Sequence, residues 1–73
     1  MAYCRFGRDS DVYVYEGEHG IECCRCRLLD VAFFTAAGPA GMMEHLLAHR
    51  AAGHRVPDGA LRELRDEAGL AEE

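Results

Sequence analysis

This sequence has no lysine, only two prolines, and no apolar run near the ~20 residues that a membrane-spanning helix requires. The last absence argues against a helical membrane protein. No basic-then-apolar leader opens the chain either, so it is expected to stay where it is made, in a reducing cytoplasm. The missing lysines bear on charge. All eight basic residues are arginine, set against thirteen acids, for a net charge of −5. Neither half is basic: residues 1–35 hold four Arg and six acids, and residues 36–73 hold four Arg and seven acids. A free nucleic-acid binder concentrates positive charge on one face. The sequence shows no such concentration, although a fold could gather Arg25, Arg27, Arg50 and Arg55, so nucleic acid is the disfavoured partner. Arginine-only usage with abundant Ala and Gly points to a high-GC genome and decides nothing about mechanism.

Repeats and linkers are also lacking, so residues 1–73 read as a single domain. At this length a hydrophobic core supplies little surplus stability, and a staple such as a metal, a disulfide or oligomerisation is expected. An apolar share of 49% argues for a folded unit rather than disorder.

Cysteine and histidine are present and clustered. Residues 21–54 hold three of the four cysteines and three of the four histidines. Cys23 and Cys26 form a C-x2-C pair, and His45 and His49 form an H-x3-H pair, both zinc-ligand spacings. In a reducing compartment such cysteines read as metal ligands before disulfides. A tight turn aims two thiolates at one point. On a helix, positions i and i+4 place two imidazoles on one face. Two sulfurs and two nitrogens can then converge tetrahedrally on one structural Zn2+. The eighteen residues between Cys26 and His45 exceed the roughly twelve of a DNA-binding finger.

The remaining candidates are weighed against this set. Cys24 adjoins Cys23 and would face the other way on a regular strand, so only one of the two joins Cys26. Cys23 gives the usual spacing and is preferred, which assigns Cys24 to the core; Cys24 in its place is the alternative. Cys4 is a reserve ligand, better explained as an ordinary buried cysteine. His54 could replace His45, because H-x4-H across a helix end also suits zinc; otherwise it could bind the last helical carbonyls. His19, in a turn, reads as solvated. An iron–sulfur centre on the four cysteines is disfavoured by the adjacent pair.

Enzyme chemistry finds little support. A zinc peptidase places a glutamate inside H-E-x-x-H, whereas here Leu46 follows His45 and Glu44 precedes it on another helix face. No helix start is readable at the C-x2-C pair, as dithiol redox chemistry would want. The bland alternative is that the cysteines are small buried residues and the histidines polar positions on an amphipathic helix.

Tyr3–Phe6 is a short alternating segment, stopped by turn-rich residues 7–11. Val12–Glu16 is the clearest strand, with valines on one face and tyrosines on the other. Residues 17–20 supply a hairpin turn, Ile21–Cys23 begin the returning strand, and Arg27–Leu29 are expected to continue extended. Residues 30–37 could be a fourth strand or a loop plugging the core. Pro39 suits the first turn of a helix carrying Met42, Met43, Leu46 and Leu47, with Gly53 as its cap. A second helix spans about 57–69, with Leu61, Leu64 and Ala68 on one stripe, and the acidic tail 70–73 is expected to fray. The fold class is therefore α+β: a small zinc-binding domain, a short antiparallel sheet carrying the cysteine knuckle plus two helices, with a zinc-finger-like ββα core over about 12–54.

Three segments, MAYCRFGRDSDVYVYE, IECCRCRL and HLLAHRAAGHRVPDGAL, together resemble small zinc-finger-like proteins of actinobacteriophages. The resemblance spans nearly the whole chain and implies a phage-encoded protein acting in the host cytoplasm, with no activity attached. The expected function is a non-enzymatic zinc-binding protein-interaction module, meeting a host or phage protein or forming a homodimer. Tyr13, Tyr15, Phe33, Phe34, Met42 and Met43 exceed what so small a core buries. A nucleic-acid-binding zinc finger is the alternative, and a metal-dependent nuclease or hydrolase the third.

Overall fold

Alternation of valine and tyrosine builds the centre of the sheet. In the computed structural model, which describes residues 2–69, Val12 and Val14 are buried while Tyr13 and Tyr15 lie half-buried on the opposite face. Four strands follow: β1 (Ala2–Cys4), β2 (Tyr13–Gly17), β3 (Gly20–Cys26) and β4 (Val31–Ala36). They pair antiparallel in the order β1-β2-β3-β4, each with its neighbour in sequence. Two helices, α1 (Pro39–Ala51) and α2 (Asp58–Ala68), complete an α+β fold. The acidic tail read as fraying lies outside the described residues.

The β2–β3 turn is the tight one, with Gly17 opposite Gly20. Gly20 has φ of 140°, and a side chain there would run into the Ala36 carbonyl of β4. Glycine is therefore required both by conformation and by the close approach of a third strand.

Residues 31–36 form a strand and not a plugging loop; they pair with β3 from Ile21↔Ala36 to Cys26↔Val31. The expectation that Arg27–Leu29 run extended is corrected. Residues 27–30 are the turn that reverses the chain, closed by Asp30 at φ of 56°. Asp tolerates this left-handed conformation better than most side chains.

Helix α1 starts with Pro39 at its first turn and ends in a Schellman arrangement. The Gly53 N–H donates to the Arg50 carbonyl at 2.9 Å, and the His54 N–H to the His49 carbonyl at 2.9 Å. Gly53, at φ of 93°, makes the reversal possible. The buried stripe of α1 is Met42, His45, Leu46 and His49, the i, i+3, i+4, i+7 pattern of a core-facing helix. Leu47, expected on the apolar stripe, is 48% exposed. In α2, Ala60 and Leu64 are buried, while Leu61 and Ala68 sit at the margin. Tyr3 from β1 is buried and donates its hydroxyl proton to the Glu67 carboxylate of α2.

One polar clamp joins the first turn to the segment between the helices. Asp11 accepts the Arg55 backbone N–H at 2.7 Å and its guanidinium at 3.0 Å, while the Asp11 N–H donates to the Arg55 carbonyl at 2.8 Å. Hydrogen bonds from Arg55 hold the Asp11 carboxyl well below the usual carboxylate range.

Two outcomes follow for stability. Gly20→Ala is expected to cost about 2–4 kcal/mol through strain and collision, and Leu64→Ala, which empties a fully buried site, about 2–5 kcal/mol; urea unfolding reads both. The Asp11 contribution has a definite sign with pH. Its folded pKa is depressed, so the stabilisation is present above the ordinary Asp pKa of about 3.9 and is lost as pH falls below it. Asp11→Asn should lower Tm at neutral pH, and the gap to the parent should close in acid. A gap that does not depend on pH would show that the charge on Asp11 contributes nothing.

Candidate metal centre

Cysteines three residues apart on a regular strand point to opposite faces. Cys23 and Cys26 nevertheless share one face, because Arg25 between them adopts φ of 51° and shifts the alternation by one residue. The burial pattern records the shift: Ile21 and Cys23 are inside, Cys24 is half-buried, Arg25 is exposed, and Cys26 is inside again. The knuckle therefore lies within β3, ahead of the turn at residues 27–30. Cys24, assigned to the core from sequence, pairs with Tyr13 on one side and Phe33 on the other, with its side chain on the outer face.

Opposite the knuckle, α1 presents His45 and His49 one turn apart, both buried. The four donor atoms lie within 4.8 Å of one another. Cys26 Sγ is 3.3 Å from His45 Nε2 and 3.5 Å from His49 Nε2, Cys23 Sγ is 3.7 Å from His49 Nε2, and the two Nε2 atoms are 3.2 Å apart. These distances test the fit. Zinc bonds of about 2.3 Å to sulfur and about 2.05 Å to nitrogen give tetrahedral edges of about 3.6 Å for S···N and about 3.3 Å for N···N. The observed separations match those edges to within about 0.3 Å on this comparison. The chain thus holds a buried Cys2His2 group that can take one metal ion, and the donor chemistry suits zinc.

Electrostatics agree with a neutral cluster that a dication would reorganise. Burial pushes the Cys23 thiol up to about 12, with Cys26 adding to the effect. Burial also lowers His45, and takes His49 down to about 4 with help from the neighbouring histidines. Both imidazoles are therefore neutral, the form that coordinates metal, and an ion would have to displace the Cys23 proton.

Two further residues orient the histidines. Phe34 of β4 stacks on the His45 ring, with centroids 3.8 Å apart and planes 12° from parallel. His54 Nδ1 lies 2.8 Å from His49 Nδ1. A lone pair on His49 Nε2 requires the proton on Nδ1, which His54 Nδ1 then accepts, so His54 fixes the tautomer rather than joining the donor set. The Schellman turn at Gly53 brings it there. Sequence spacing marks His54 as a possible ligand but carries no signal for this supporting role. The face taken by Phe34 is set by parity with buried Ala36, legible only once residues 31–36 are known to be a strand.

Cys4 stands apart, half-buried on β1 with its Sγ 3.8 Å from the Val12 carbonyl oxygen. His19 is exposed in the β2–β3 turn. Among the described residues, no helix is long and apolar enough to cross a membrane. Compared with protein-family models, with curated proteins and with solved structures, the chain matches none.

His49→Ala and His45→Ala are each expected to abolish tight zinc binding. His54→Ala should keep the stoichiometry and weaken affinity by about 10–100-fold, as loss of a supporting hydrogen bond does. Elemental analysis and chelator competition check all three; unchanged affinity in His54→Ala would remove its orienting role.

Proposed function

We propose that this chain is a zinc-stabilised, non-enzymatic protein-interaction module, with one structural Zn2+ on Cys23, Cys26, His45 and His49. The observation that carries the reading is the sheet face turned away from the helices. Phe6, 40% exposed, meets Tyr13 edge to face at 5.7 Å, and Tyr13 meets Tyr15 the same way. Across the strands, Tyr13 pairs with Cys24 and Cys24 with Phe33, which is 55% exposed. Aromatic groups that a domain leaves outside its core make effective protein contacts.

A structural role for the ion is supported by the donor count. Four protein donors fill a tetrahedron, whereas a catalytic zinc keeps a position for water. Against the nucleic-acid alternative stands the engagement of the arginines at the end of α1. Arg50 donates to the Val56 carbonyl and to Asp58, both at 2.5 Å, and Arg55 is held by Asp11 and the Arg8 carbonyl. Phosphate contacts would have to compete with these bonds. The actinobacteriophage resemblance supports a partner of host or phage origin, met in the host cytoplasm.

The test has two parts. Zinc-purified protein is expected to carry about one ion per chain, and Cys23→Ser/Cys26→Ser to lose both the ion and most secondary structure by circular dichroism. Tagged protein in lysate should retain a protein that Phe6→Ser/Tyr13→Ser does not. Salt-sensitive retention of nucleic acid with no protein would reverse the ranking.

A further inference from the structure

The sheet has two edges, and they are built differently. At one end β1 has only three residues, its register with β2 slips between Ala2 and Cys4, and α2 is tied to it through Tyr3 and Glu67. Shortness, a bulge and a covering helix are all devices that prevent an edge from pairing. At the other end β4 is neither short nor slipped, and α1 meets it through Phe34 on the inner face of the sheet. The strand is six residues long, Val31-Ala-Phe-Phe-Thr-Ala, and pairs with β3 without a slip. It contains no charge and no proline, and Val31 and Phe33 are 43% and 55% exposed. Among the described residues, no strand pairs with its outer side. Such an edge offers a row of alternating N–H and C=O groups whose complement is another β-strand.

We infer that β4 is the self-association edge of this protein, where two copies pair antiparallel about a two-fold axis at Phe33. The inference rests on the interaction reading above and names its partner as a second copy of this chain. Charge at the edge permits a second copy. Each chain carries −5, and β4 lets two of them meet along a strand with no like charges opposed. The sequence is also self-complementary about Phe33. Phe33 then lies opposite its counterpart and Val31 opposite the counterpart of Thr35, aromatic and β-branched pairs of the kind that stabilise antiparallel strands. Directly opposed residues share a sheet face, so the line Tyr13–Cys24–Phe33 runs on across the axis into the second copy. The result is an isologous dimer with one continuous eight-stranded sheet, twice the four strands of one chain.

Sedimentation equilibrium of the zinc-loaded full chain, from micromolar to near-millimolar concentration, reads the oligomeric state. Hydrogen exchange at the two ends of that range reads the edge. The expected result is a monomer–dimer equilibrium in which amides of residues 31–36 gain protection at high concentration. Phe33→Lys, which sets two lysines opposite each other, should raise the dimer dissociation constant by about tenfold or more while keeping one zinc per chain. Val31→Lys provides a second variant should Phe33→Lys lose its metal. A monomer throughout the range overturns the inference, and so does a dimer with no gain of protection in residues 31–36, or one that both lysine variants leave intact. A monomer that still retains a protein through Phe6 and Tyr13 would overturn strand pairing alone and leave the interaction reading standing.

Discussion

The joint between β3 and α1 governs this structure. Its faces meet through two thiols and two imidazoles where a larger domain would place leucine and phenylalanine. Half of the buried stripe of α1 is histidine, and at the centre of the sheet Cys23 lies between Val14 and Phe34. A joint of this composition holds weakly through the hydrophobic effect alone, because imidazoles gain little from leaving water and thiols are small. Metal coordination, worth on the order of 10 kcal/mol or more in small zinc domains, would turn the weakest part of the interior into the strongest. The rest of the core, Met42, Leu46, Leu64 and the valines of β2, gathers around that joint.

Much of this was legible in the sequence where local chemistry decides the outcome. Val12 to Tyr15 alternate by face as β-branched and aromatic residues do. Pro39 and Gly53 bracket α1 because proline fixes φ at one end and glycine enters the left-handed region without steric cost at the other. The donor set is readable because C-x2-C and H-x3-H each correspond to one local geometry, and the structure brings those four side chains together.

The remainder depends on long-range partners. Burial alternates in residues 31–36 only from Phe33 onward, since Val31, Ala32 and Phe33 are all exposed, and pairing with β3 defines the first half of the strand. Leu28 and Leu29 favour an extended reading by composition, yet the pairing of Cys26 with Val31 leaves just four residues for the reversal. The side taken by Cys24 follows from the conformation of Arg25, and nothing about arginine announces a left-handed residue. His54 is equivocal for a similar reason. Its distance along the chain suits a ligand, while the Schellman turn swings it to the far nitrogen of His49.

The order β1-β2-β3-β4 also bears on time. Every strand pairs with its immediate successor, so the sheet can form by zipping short hairpins, without the slow search that distant pairings demand. Longer closures remain, Tyr3 to Glu67, Asp11 to Arg55 and α1 to the knuckle, and the last is the one the ion would reward. A meander that zips first offers two thiols already aimed to one side. Capture of the ion by that half-made site, followed by the two imidazoles swinging in, would let zinc supply set how quickly the chain matures after synthesis.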